Sequence, residues 1–193
     1  MKTHLRIGNC GPIRSRWSRG MSMLDLMIAV AIGAILLATG APTFSSTAQK
    51  SQIKTAASQL HMSMSLARNE AVKRRRAVRV CPSADSSSCR NDGEWGGGWL
   101  VFEDANSNSS PDTSEIITLV DSLEHGIDIA VSNAMSDYVQ FQPTGAAIGG
   151  GGMNGVFRVC HSDSTSHSMV LQVSGAGRVE LFDGQPTDCS EEA

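Results

Sequence analysis

From Leu26 to Gln49 the chain runs 24 residues without a Lys, Arg, Asp or Glu. About 20 apolar helical residues suffice to span a bilayer, so this stretch is long enough to enter one. A basic leader precedes it: Lys2, Arg6, Arg14, Arg16 and Arg19 stand in residues 1–20 with no acid, a charge of +5. Such a flank predicts a cytoplasmic N-terminus. One carboxylate, Asp25, sits just ahead of the uncharged run. A charge within a bilayer costs about 2.5–3.5 kcal/mol on insertion scales unless it has a partner, which marks Asp25 as a functional residue.

The helical pattern does not stop with the uncharged run. Ile53, Ala57, Leu60, Met64, Ala67 and Ala71 recur at 4-3-4-3-4 spacing, one apolar stripe on an otherwise polar helix. The two patterns predict one helix from about Ser22 to Arg76, roughly 80 Å long at 1.5 Å per residue. Gly40 and Pro42 lie between its halves, where a kink or local melting is expected. The alternative is a secretory signal peptide cut near Ala38-Thr39-Gly40. Asp25 is misplaced for a signal core, and the stripe beyond residue 40 favours retention of the segment.

Charge separates the two ends of the chain. Without the leader, eleven Lys and Arg face nineteen Asp and Glu, a net of −8. From residue 91 onward Arg158 and Arg178 oppose sixteen acids, a net of −14. Such a half repels nucleic acid and anionic membranes. Apart from Cys10 in the leader, the cysteines are Cys81, Cys89, Cys160 and Cys189, an even number in a chain that reads as exported. Three pairings are possible. The favoured pair is Cys81–Cys89, closing a Ser-rich loop, with Cys160–Cys189 tying the tail to a strand. Zinc is the rival reading, and no CxxC spacing supports it.

After Arg76 the period changes to short β-rich runs. Residues 77–81, 99–103, 116–120, 127–131, 138–141, 156–160, 169–173 and 178–182 read as strands, separated by Gly, Ser, Asn, Asp and Pro clusters. The fold class is therefore α+β: a long N-terminal helix whose second half packs on an antiparallel sheet through the Ile53–Ala71 stripe.

The junction Gly20-Met21-Ser-Met-Leu-Asp25-Leu-Met-Ile resembles the class III leader of type IV pilins and type II secretion pseudopilins. The resemblance implies cleavage between Gly20 and Met21 by a prepilin peptidase and N-methylation of Met21. Asp25 stands where that family normally carries Glu, and Met21 where it usually carries Phe. Pro42 falls where many pilins carry a helix-disrupting proline. Further on, Gly98-Trp-Leu-Val-Phe-Glu-Asp-Ala-Asn106, Phe141-Gln-Pro-Thr-Gly145, Phe157-Arg-Val-Cys160 and Val173-Ser-Gly-Ala-Gly-Arg-Val179 resemble the FimT/FimU and GspH branch of minor pilins and minor pseudopilins.

That resemblance divides the chain into a cleaved leader (1–20), a transmembrane and assembly half of the helix (21–43), an amphipathic half (44–77) and a β-rich domain (78–193). It implies a minor type IV pilin that helps to prime pilus assembly and sits in the tip complex. The alternatives are a GspH-type pseudopilin of type II secretion and a DNA-uptake receptor. The implied partners are other minor pilins, the major pilin, the prepilin peptidase and the inner membrane. The precursor is expected to cross that membrane once, with a periplasmic C-terminal domain, and the mature protein to join the pilus at the cell surface. In a bundle of such helices Asp25 would meet the free amine of a neighbour's Met21. A plain N-terminal capping acid is the simpler role.

Other candidates are weighed on their residues. Asp104, Asn106, Asn108, Ser110, Asp112 and Glu115 fall on positions 1, 3, 5, 7, 9 and 12 of a calcium loop, but Ser109 replaces the glycine of position 6 and the flanks read as strands. Lys73-Arg-Arg-Arg76 suits a helix C-terminus. Gly177-Arg178-Val179-Glu180 stands where some FimT proteins carry Gly-Arg-x-Arg. Arg178 is thus the candidate nucleic-acid residue, and Glu180 argues against DNA binding. Gly149–Gly152 lacks the Lys-Ser/Thr of a phosphate loop and reads as a flexible connection. His161 and His167 read as solvated, and Trp95 and Trp99 as covering one edge of the sheet core. No triad of catalytic side chains stands out, so no enzyme activity, metal or cofactor is expected.

Overall fold

The computed structural model describes residues 21–132, 134–162 and 164–184; in residues 35–44 and 164–166 it describes the backbone and not the side chains. The chain forms two compact units, Met1–Ala41 and Pro42–Ala193. Helix α1, Met23–Arg74, contributes to both and is 52 residues long. Its backbone stays helical through Gly40 and Pro42, so the local melting expected there is absent. Pro42 has no N–H to give to the helical ladder.

In the first unit, among the described residues, the large apolar side chains face outward. Met21, Met23, Leu24, Leu26, Met27, Ile28, Val30 and Ile32 are each at least 50% exposed. Among the described residues no helix is long and apolar enough to cross a membrane; ten residues of the expected transmembrane half, 35–44, are described by their backbone alone.

The second unit buries the other half of α1. Ile53, Ala57, Leu60, Met64, Ala67 and Ala71 are all buried, as their spacing predicted, together with Ala56 and Ser63. The helix ends on a left-handed residue, Arg75 (φ 57°). The Arg76 N–H then bonds the Ala71 carbonyl at 3.3 Å, closing a Schellman cap. Glu70 accepts from Arg74 (2.5 Å) and Lys73 (3.2 Å), and Glu103 from Arg74 (2.7 Å). Those pairs hold the Glu70 carboxyl below its ordinary pKa, Arg74 being the larger cause. The basic run thus serves the helix end, as expected.

Among the described residues nine strands follow. They are β1 Val78–Pro82, β2 Trp99–Glu103, β3 Ile116–Val120, β4 Ile127–Val131, β5 Val139–Phe141, β6 Ala147–Gly149, β7 Gly155–His161, β8 Ser164–Val173 and β9 Val179–Asp183. They form two sheets rather than the single one expected, in the orders β3-β2-β1-β5-β6 and β4-β7-β8-β9, with antiparallel pairing throughout. The split arises because β4 pairs forward with β7 while β5 returns to β1, and strand spacing alone carries no such partner choice. Strand β6 escaped notice because its three residues end in glycine. The first half of β8 was hidden by its polar Ser164-Thr-Ser-His167-Ser168 sequence.

One core joins the helix stripe to both sheets. Val80, Trp99, Val101, Val139 and Phe141 enter it from the first sheet, and Ile129, Phe157, Val159, Leu171 and Val173 from the second. Trp95 and Trp99 are fully buried in this core, not at its edge. Trp95 meets Phe157 edge-on (ring centroids 5.1 Å) and donates to the Ser136 carbonyl (2.8 Å). The indole N–H of Trp99 donates to the hydroxyl of Ser63 on α1 (2.9 Å). That bond explains a buried serine on an apolar helix face.

Strand β2 is buried on both sides. Leu100 and Phe102 point away from the main core into a second cluster with Cys81. The Cys81–Cys89 disulfide is formed, with 5.5 Å between Cα atoms. Cys160 is buried and also disulfide-bonded; its expected partner, Cys189, lies outside the described residues.

Candidate functional site

Every sequence cue for function at the N-terminal end converges on the first turn of α1. The Ser22 hydroxyl accepts from the Leu24 N–H (3.3 Å), and the Asp25 Oδ2 accepts from the Ser22 N–H (3.1 Å). The first helical bond runs from the Leu26 N–H to the Ser22 carbonyl at 3.2 Å. This is a capping box: the N-cap serine and the acid three residues later satisfy each other's free donors. Asp25 therefore caps its own helix in the single chain, the simpler of its two expected roles, and its negative charge suits the helix N-terminus. Gly20, the other half of the processing junction, lies outside the described residues.

What surrounds this cap is apolar surface that, among the described residues, nothing covers. A polar group set among exposed Met, Leu and Ile side chains is the arrangement of a contact surface rather than of a reaction centre.

The Gly145 and Gly177 signatures come together elsewhere. Gly145 (φ 83°) sits in the β5–β6 turn and Gly177 (φ 76°) in the β8–β9 turn. Arg68 of α1 donates to the Gly145 carbonyl (3.2 Å), and the Ala147 N–H donates to the Gly175 carbonyl (3.0 Å). A Cβ on Gly177 would overlap the Gly145 carbonyl oxygen. Gly177 is thus required by the close approach of two turns, one from each sheet. Arg178 is exposed and forms a direct ion pair with Glu180. The neighbour that argued against DNA binding in the sequence takes up this guanidinium in the fold.

The 104–115 segment is held by its own groups. Asp104 accepts from the Ser109 N–H (3.3 Å), Asn106 from the Asn108 N–H (2.9 Å), and Glu115 from the Ala105 N–H (3.1 Å). Ser109 adopts the left-handed conformation (φ 64°) that glycine takes at position 6 of calcium loops. Among the described residues, no group of three or more His, Cys, Asp or Glu could hold a metal ion.

Sequence reasoning missed Arg79. It stacks on Tyr138 (4.2 Å) and donates to Gln140 (2.7 Å) and to the Ser109 carbonyl (3.2 Å), stapling the loop over the first sheet. An arginine within an apolar strand was the available signal. Two further readings change. His161 is buried, not solvated. Gly149 belongs to β6, donates to the Gly152 carbonyl (2.6 Å) and leaves no room for a side chain beside Ala134, so the glycine run is a packed turn rather than a flexible connection.

A capped apolar helix end, an amphipathic helix half and two antiparallel sheets sharing its stripe define a recognisable arrangement. The sequence model of the family described as type II transport protein GspH matches residues 56–177, more than half of the chain. The chain belongs to the GspH family. Two solved structures share its fold. The type IV minor pilin FimU of Pseudomonas aeruginosa is 20% identical, with a TM-score of 0.52, over 70% of this chain and 95% of that one. The minor pseudopilin EpsH from the type 2 secretion system of Vibrio cholerae is 9% identical, with a TM-score of 0.51, over 68% and 97%. Among curated proteins none matches by sequence. The GspH family is one of structural proteins and not of enzymes.

Proposed function

We propose that this GspH-family chain is a minor type IV pilin that helps to prime pilus assembly and takes its place in the tip complex. The observation that carries the reading is the apolar segment Met21–Ile32, exposed on a helix whose other half buries its apolar stripe in the core. Burying such a surface contributes about 25 cal/mol per Å², so it drives association wherever like helices meet. The precursor is anchored in the inner membrane through its charge-free segment, cut after Gly20 and methylated on Met21. Asp25 then exchanges the Ser22 N–H for the amine of a neighbour's Met21. That exchange replaces a neutral donor by a charged one, the stronger partner for a carboxylate.

Mass spectrometry of the mature N-terminus tests processing: N-methyl-Met21 is expected, and a start near Ala41 would refute the reading. Deletion of the gene, complemented by wild type or Asp25→Ala, tests the role. Loss of surface pili restored only by wild type is expected. Loss of protein secretion with intact pili would instead favour the type II secretion reading, which the description of the matched family supports. DNA uptake is the weakest of the three readings because Arg178 is paired with Glu180.

A further inference from the structure

Among the described residues the two sheets have four edge strands, β3 and β6 in the first and β4 and β9 in the second. An open edge is a row of backbone donors and acceptors that can pair with another chain, and a charge on the strand discourages such pairing. Strand β4 carries Asp128, β9 carries Glu180 and Asp183, and β6 is three residues long. Strand β3, Ile116-Ile-Thr-Leu-Val120, carries no charge, and none of its five residues is buried. A bulge shifts its register against β2 between Val101 and Phe102, so the regular stretch is Thr118–Val120. The Ser83 N–H donates to the Gly98 carbonyl at 3.0 Å. With the register of β1, β2 and β3, that bond turns the backbone groups of Trp99 and Val101 toward Val120 and Thr118. Leu119, 43% exposed, therefore directs its N–H and C=O away from β2.

Where β3 ends, a cavity of about 340 Å³ opens between the chain that follows it and α1. Ala56, Val120, Leu123 and Ile127 line it with apolar side chains, and Asp121 and Glu124 with carboxylates. Glu124 accepts from Gln52 of α1 (2.6 Å), and Asp121 from the Ser86 hydroxyl (3.0 Å). Among the described residues neither acid stands in an ion pair. Apolar walls beside uncompensated carboxylates fit the methylene stem and charged head of a Lys or Arg side chain.

We infer that the β3 edge and this cavity together receive an extended segment of a different protein. That segment is uncharged where it pairs with β3 and bears Lys or Arg where it reaches Asp121 and Glu124. Main-chain bonds along the edge hold it, and the cavity selects its basic end. Charge also excludes a second copy as the occupant. An antiparallel pair of β3 strands centred on Thr118 or Leu119 sets Glu115 of one copy opposite or diagonal to Asp121 of the other. Like charges so placed repel, and a basic segment relieves the same acids. The site lies within the second unit and makes no use of Met21–Ile32, so its failure would leave the assembly reading above standing.

The test uses the full chain in cells that produce it, with photoreactive benzoylphenylalanine at position 122, exposed beside the β3 edge, or at position 182 on the charged β9 edge. Irradiation from position 122 is expected to join the chain to another protein through a peptide with Lys or Arg next to an uncharged, β-branched run. Position 182 is expected to give little of that product. Asp121→Asn combined with Glu124→Gln keeps the shape of the cavity and removes its charge, and should lower the product about tenfold. Leu119→Pro removes the outward N–H of an edge strand and should lower it by about as much. Both variants are expected to melt with wild type; if Leu119→Pro melts lower, the carboxylate variant alone decides. No product from position 122, a product joined to a second copy, an acidic joined peptide, or a product that survives loss of the two carboxylates overturns the inference.

Discussion

Two stretches of α1 treat apolar side chains in opposite ways. Between Met23 and Ile32 the residues Leu24, Leu26, Ile28 and Val30 stand in the open, half or more exposed. Between Ile53 and Ala71 a single stripe is sealed against two sheets, and Leu60, Met64, Ala67 and Ala71 have no exposure at all. Both stretches are helical, so the difference lies in where the covering comes from. The second is completed by its own chain. The first carries more apolar surface, distributed around the helix, and on the assembly reading proposed above other chains cover it. On that reading, stability of the fold and propensity to assemble are assigned to separate lengths of one element.

The sharpest way to break that comparison is a matched pair of truncations. Leu60→Ala should lower the unfolding free energy by about 3 kcal/mol, since a fully buried leucine leaves a cavity. Ile28→Ala should change it by less than about 0.5 kcal/mol, as exposed positions do, while reducing assembly into pili. Urea unfolding beside a piliation assay checks both, and equal losses of stability would refute the division.

Ser63→Ala comes next. It strands the buried Trp99 N–H and should cost about 2 kcal/mol, read from the same unfolding curves together with a shift in tryptophan emission. A substitution in the opposite direction is Arg75→Gly. Glycine removes the penalty of a left-handed arginine at the helix cap and should stabilise the second unit by about 1 kcal/mol, seen as a higher melting temperature.

The smallest effect is one of pH. The Ser87 N–H and the Ser88 hydroxyl and N–H hold the Asp85 carboxyl well below its ordinary value of 3.8. The folded state therefore favours the ionised form. Its contribution is complete above that ordinary value and is lost as pH falls below it. Asp85→Asn should flatten the decline of the unfolding midpoint between about pH 4 and about pH 2. An unchanged slope would show that other carboxylates carry the acid sensitivity.

Much of this was legible before the fold was known. The stripe Ile53–Ala71 announced its buried face because helical periodicity is a local property. Cys81–Cys89 was legible from a short loop, and the position of Asp25 from the run that follows it. What could not be read depended on partners far along the chain. Ser63 looked like a polar intrusion until Trp99 supplied its donor. Gly177 looked like part of a basic motif until the Gly145 turn arrived against it. Arg79 had no visible purpose without Tyr138, Gln140 and Ser109.

The sequence by itself determined a long helix with one apolar and one amphipathic half, an acid at its entry and a β-rich remainder. Those follow from period, charge and turn chemistry, which act over a few residues. Only the tertiary structure decided that the strands divide into two sheets around one core, that two glycine turns meet, and that Asp25 caps its own helix in the isolated chain. Pairing between residues far apart in the chain depends on which surfaces can be buried together, and no local pattern encodes that choice.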